Sequence, residues 1–123
     1  MDQHVHDAFL ALLDNANKIS IVTWDARMIS WIKNPSEEVQ LAAVTQYGHM
    51  ITYILDPSKK VQLATVTRNP YTFKFIRNPS EEVQLATVTR DGYMIRHITD
   101  PSEAVQLAAV TQKAIRWLRL EEE

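Results

Sequence analysis

Cysteine is missing from all 123 residues, and glycine occurs only at Gly48 and Gly92. The first absence rules out disulfides, thiolate metal sites and cysteine nucleophiles, and it fits a reducing compartment. The second rules out a phosphate-cradling loop of the GxGxxG or P-loop kind, which needs several glycines within a few residues. No apolar run approaches the roughly 18–20 residues that span a bilayer. The opening stretch, "MDQHVHDAFLALLD", carries early acids and no basic head, which makes it a poor signal peptide. A cytoplasmic location is the default expectation. A surplus of one charge sign is lacking too: 13 Lys and Arg against 15 Asp and Glu give a net charge of −2, so the molecule as a whole is not drawn to nucleic acid or membranes. What remains is ordinary globular composition in a length that fits one domain over 1–123.

What the chain has in abundance is one phrase. Residues 34–46 read "NPSEEVQLAAVTQ", 56–68 "DPSKKVQLATVTR", 78–90 "NPSEEVQLATVTR" and 100–112 "DPSEAVQLAAVTQ". Pro35, Pro57, Pro79 and Pro101 mark a 22-residue step, and a period in this range points to a solenoid. One step earlier, Ile19, Val22, Thr23, Met28, Ile29 and Ile32 fall where Leu41, Val44, Thr45, Met50, Ile51 and Ile54 fall in the next copy. The expected fold is all-α: an α-solenoid of five stacked 22-residue helical hairpins in the manner of HEAT repeats. Its units are 13–34 (degenerate), 35–56, 57–78, 79–100 and 101–123. Residues 1–12, with Val5, Phe9, Leu10 and Leu12, are expected to form an N-terminal capping helix.

Each unit reads as two short helices. Asn34, Asp56, Asn78 and Asp100 are good N-caps with proline at the first helical position. Glu37, Glu81 and Glu103 stand where a capping box would close, and Lys59 breaks that pattern. Tyr47-Gly48, Asn69-Pro70 and Asp91-Gly92 end the first helix. The second helix, "HMITYIL" in one unit, stops at the next Asn/Asp-Pro. In the first helix Val39, Ala42 and Ala43 lie opposite Leu41 and Val44, so it is apolar on two sides and sandwiched. In the second, Met50, Ile51 and Ile54 make one inner stripe. The run Glu121–Glu123 opposes the helix dipole and predicts a fraying end.

The core "VQLAAVTQYG" resembles the short helical-hairpin repeats, V-x-L-A-A-V-x-x-x-G, of uncharacterised phage, giant-virus and protist proteins. The likeness covers about residues 34–120. Thr65 and Thr87 depart from it at the second alanine, Pro70 and Ala114 at the glycine. The resemblance implies an α-solenoid of viral kind, placed in the host cytoplasm. It carries no catalytic residue, and viral proteins of this size often bind and block a host component.

Letters that recur are read as structure: Gln40, Gln62, Gln84 and Gln106 as inter-unit or loop hydrogen bonds, and the threonines from Thr23 to Thr111 as bonds to the i−4 carbonyl. Letters that vary are the candidate surface. One column is Arg27, His49, Tyr71, Tyr93 and Ile115; another, four residues on, is Trp31, Tyr53, Phe75, His97 and Arg119. On an α-helix the two share a face, predicting a stripe of rings that either docks a partner or covers the helix layer. A third column, Trp24, Gln46, Arg68, Arg90 and Gln112, lies beside them. The candidate partner-binding set is therefore Trp24, Arg27, Trp31, His49, Tyr53, Arg68, Tyr71, Phe75, Arg90, Tyr93 and His97.

No catalytic set is visible: Ser36, Ser58, Ser80 and Ser102 start helices, as do the paired acids Glu37-Glu38 and Glu81-Glu82. His4 and His6 form a weak HxH metal signal, while His49 and His97 are two units apart, too far to share an ion. No metal, cofactor or enzymatic activity is expected. The expected function is a protein–protein interaction module, in viral form an inhibitor of a host defence or nucleic-acid-processing complex. The alternatives are nucleic-acid binding through Lys59, Lys60, Arg68, Lys74, Arg90 and Arg96, and self-assembly by end stacking into a homodimer or a structural repeat.

Overall fold

A computed structural model describes residues 13–122, with side chains to 119. The proposed cap 1–12, the His4/His6 pair and Glu123 lie outside the described residues. Among those described, the chain is all-helical, with α1 (Asn15–Trp24), α2 (Glu37–Gln46), α3 (Lys59–Arg68), α4 (Glu81–Arg90) and α5 (Glu103–Glu122). Between them lie four six-residue 3-10 helices: η1 (Ala26–Trp31), η2 (Gly48–Tyr53), η3 (Pro70–Phe75) and η4 (Gly92–His97). Packing follows chain order. Each α-helix contacts the next α-helix, and each 3-10 helix contacts the next 3-10 helix. None of these helices is long and apolar enough to cross a membrane.

The α-helices start two residues later than the capping pattern predicts. Ser36, Ser58 and Ser80 are the N-caps, and Oγ of each accepts from the backbone N–H of Val39, Val61 and Val83 at 3.2–3.3 Å. Ser102 does the same for Val105. Asn34, Asn78 and Asp100 instead take left-handed φ of 48–55°, a conformation that short Asx side chains tolerate better than most. The glutamates therefore close no capping box. Glu37 and Glu81 reach forward, accepting from the cap hydroxyls of Ser58 (2.7 Å) and Ser102 (3.0 Å) in the following unit. Each such serine accepts from its own helix and donates to the helix before it. Lys59 cannot accept, and it forms an ion pair with Glu82 of the next unit at 2.8 Å. The recurring glutamines bind neither each other nor a neighbouring unit. Each donates to the carbonyl of its own Pro35, Pro57, Pro79 or Pro101 at 2.9–3.2 Å. Thr23, Thr89 and Thr111 bond back to the i−4 carbonyl as expected.

The core lies between the two layers. Val39, Ala43 and Val44 of α2 are fully buried, as are the matching Val61, Thr65 and Val66 and Val83, Thr87 and Val88. Thr65 and Thr87 stand where Ala43 stands, and their hydroxyls are satisfied by the carbonyls of Val61 and Val83 at 2.7 and 2.8 Å. The second helix of each unit is 3-10 rather than α, which aligns residues at i, i+3 and i+6. The row Ala26, Ile29, Ile32 is accordingly buried, as is Gly48, Ile51, Ile54. Gly92 is there for close approach: a Cβ would lie 2.5 Å from the carbonyl oxygen of Ala109.

The fifth unit departs from the hairpin expectation. At the positions where Tyr47-Gly48 and Asp91-Gly92 break the helix, this unit has Lys113-Ala114, which can neither cap nor approach closely. The helix runs on, and α5 is 20 residues long, about 30 Å. Its described length includes Glu121 and Glu122, two of the three acids at that end.

Candidate interaction surface

The change from α to 3-10 geometry splits the expected single stripe. At 120° per residue, positions i and i+4 lie on different faces, about 8 Å apart along the axis. Arg27, His49, Tyr71 and Tyr93 stand at the start of each 3-10 helix, beside the C-terminal edge of the α-layer that carries Trp24, Arg68 and Arg90. Trp31, Tyr53, Phe75 and His97 stand at the other end. Trp24, Tyr53, Tyr71 and Tyr93 are exposed, whereas Trp31 and Phe75 are half-buried against the core. Exposed His97 accepts from Arg96 Nε at 3.3 Å.

The two columns meet at His49 and Phe75. The His49 ring lies 4.8 Å from the Phe75 ring of the next unit and stacks on Tyr47 at 4.9 Å. Tyr47 was missed by sequence reasoning, although its column held the signal. Asp25, Asn69 and Asp91 occupy the same place in other units, and each accepts a backbone N–H from the 3-10 helix it begins, at 3.0–3.1 Å. Tyr47 makes no such side-chain bond. This unit thus carries an exposed ring in place of a cap. Leu55, 95% exposed, is a second apolar side chain beside the patch. It lines a groove of about 580 Å³ together with Tyr53, Gln62, Phe75, Arg77 and Asn78. A counterpart one unit on, about 380 Å³, is lined by Lys74, Asn78, Gln84 and His97.

The basic residues do not form one stripe. Lys59 and Lys60 begin α3 and Arg68 ends it, about 13 Å away. Lys59 is held by Glu82, whose carboxylate raises the lysine's pKa. Asp25 binds Arg27 at 2.9 Å, and this hydrogen bond lowers the carboxyl and raises the guanidinium. Lys74 sits 5.5 Å over the Phe75 ring. Lys113 and Arg116 of α5 sit over Tyr93 at 5.0 and 5.9 Å.

Arg68 and Arg90 occur in neither ion pair found among the described residues. The glutamines of their column do a job that the arginines cannot. Gln46 Oε1 accepts from Ala26 N–H (2.7 Å) and Gln112 Oε1 from Gly92 N–H (2.6 Å), so each glutamine fastens the start of the preceding 3-10 helix. Gln46 Nε2 also donates to the carbonyl of Thr23. An arginine cannot accept, and at Arg90 the preceding helix begins with Pro70, which has no N–H to offer.

Among the described residues, no three His, Asp or Glu side chains come together in a way that could hold a metal ion. Compared with protein-family models, curated proteins and solved structures, the chain matches none.

Proposed function

We propose that this chain is a short α-solenoid of 22-residue units acting as a non-enzymatic docking module for a protein partner. The partner contacts the surface where Tyr47, His49 and Phe75 meet, flanked by Tyr53, Leu55 and Tyr71. The observation that carries this reading is Tyr47: one unit gives up the cap its equivalents keep, and the ring put there joins a contiguous aromatic patch. Clustered exposed rings beside a groove edged with polar groups are the residue types of which interface hot spots are made. The recurring letters are occupied by caps, core and unit-to-unit bonds, which leaves the varying letters to discriminate a partner that does not repeat itself.

The test is affinity capture from source-cell lysate with the wild-type chain and with a Tyr47→Asn, Tyr53→Ala, Tyr71→Ala variant. All three side chains are exposed, so helical circular dichroism stays unchanged. A protein held by the wild type and lost by the variant is the expected result. An identical captured set rejects this patch as the docking surface.

Nucleic-acid binding is a second reading, favoured by Arg68 and Arg90 beside Tyr71 and Tyr93 on one edge. It requires an affinity for single-stranded oligonucleotides that falls steeply with salt.

A further inference from the structure

We propose that two copies of this chain pair through the outer face of α5, C-terminal end against C-terminal end, as a closed two-fold dimer. Val44, Val66 and Val88 are 0% exposed, because another α-helix covers each of them. The matching Val110 is 61% exposed, and Leu107, Trp117 and Leu118 beside it are 60–67% exposed. With Ala114 they fall at i, i+3, i+7, i+10 and i+11, the spacing of a helix–helix seam. Each copy thus offers on the order of 500 Å² of apolar side chain, in the upper part of the range for a monomer's largest patch, which is often a functional one. Two such faces joined bury on the order of 1,000 Å², the lower bound of a specific interface.

The other end of the series decides the occupant. Where α2, α3, α4 and α5 have Val39, Val61, Val83 and Val105, all fully buried, α1 has exposed Asn17. Where they have Ala42, Ala64, Ala86 and Ala108, α1 has exposed Ser20. Head-to-tail stacking would press Val110 onto the Asn17 amide and take it out of water, a cost a second α5 does not impose; the Ser20 hydroxyl is already bonded to the Ala16 carbonyl at 3.1 Å. Residues 1–12 join the chain at α1, the end remote from α5. The face that matches α5 is a second α5, and a self-matching face gives an isologous pair that stops at two.

Sedimentation equilibrium of the 123-residue chain at rising concentration tests this. The expected mass climbs to twice that of one chain and stays there. Val110→Glu with Leu118→Glu should weaken pairing by roughly 30-fold or more and leave helical circular dichroism intact, since both side chains already face solvent in one copy. A wild-type mass that stays at one chain, or passes two without limit, overturns the proposal, as does a glutamate variant that still dimerises. The Tyr47/Tyr53/Tyr71 variant should dimerise normally, so failure here is distinguishable from failure of the docking patch.

Discussion

Tyr47 and its equivalents do two different jobs with one position. Asp25, Asn69 and Asp91 close the first turn of a 3-10 helix, whereas Tyr47 leaves that N–H without its side-chain acceptor and presents a ring. A cap of this kind is worth about 1 kcal/mol. Tyr47→Asn restores it and loses only an exposed stacking contact, so thermal unfolding should shift upward by the equivalent of about 0.5–1 kcal/mol while partner capture falls. A melting temperature that drops would mean the ring itself supports the fold. Gly92 marks the opposite case, in which the residue serves packing alone. Gly92→Ala places a methyl against the Ala109 carbonyl, a backbone atom that cannot rotate aside, and should cost about 1–3 kcal/mol in denaturant unfolding. Gly48→Ala meets the Thr72 methyl instead, at 2.8 Å, and should cost less.

At the scale of the element, the repeat length, the ends of each first helix at Tyr47, Asn69 and Asp91, and the buried valines were legible in the sequence. The helix starts were not. In "NPSEE" both Asn-Pro and Ser-Glu-Glu satisfy the rules for a cap, and only the positive φ at Asn34 and Asn78 shows which one yields. The second helix was misread for a related reason. Met50, Ile51 and Ile54 suit an α stripe, but Gly48, Ile51 and Ile54 suit a 3-10 row equally, and six residues are too few to decide by period. That error carried the candidate surface with it, because pairing the two ring columns assumed α geometry. Tyr47 escaped because it was read as a turn residue rather than as one of a column. The cap serines give a test. Ser58 both caps α3 and donates to Glu37, whereas Ser80 caps α4, and the residue that matches Glu37 in the unit before it is Lys59, which cannot accept. Ser80→Ala should lose about 1 kcal/mol and Ser58→Ala measurably more in matched urea titrations. Equal losses would show that the hydroxyl-to-glutamate bond contributes nothing.

Across the whole molecule, contacts run between consecutive units, so stability is expected to be a sum of unit and neighbour terms. Repetition makes each unit's surface letters a separate choice on a shared frame. The proposed docking patch and the proposed pairing face lie on different parts of the chain, the middle units for the rings and α5 for the second copy. The absence of cysteine allows this geometry to be measured without background labelling. Thr23, Thr45, Thr67, Thr89 and Thr111 are exposed and one unit apart on successive α-helices. Spin labels on cysteines at 23 and 67, 23 and 89, and 23 and 111 report two, three and four steps by pulsed dipolar spectroscopy. Dilution with unlabelled chain removes any contribution from pairing. Stacked units predict separations that lengthen at every step, by about 8–10 Å each before curvature. A 23–111 distance no longer than 23–67 would mean that the helices fold back on one another and that no linear stack exists.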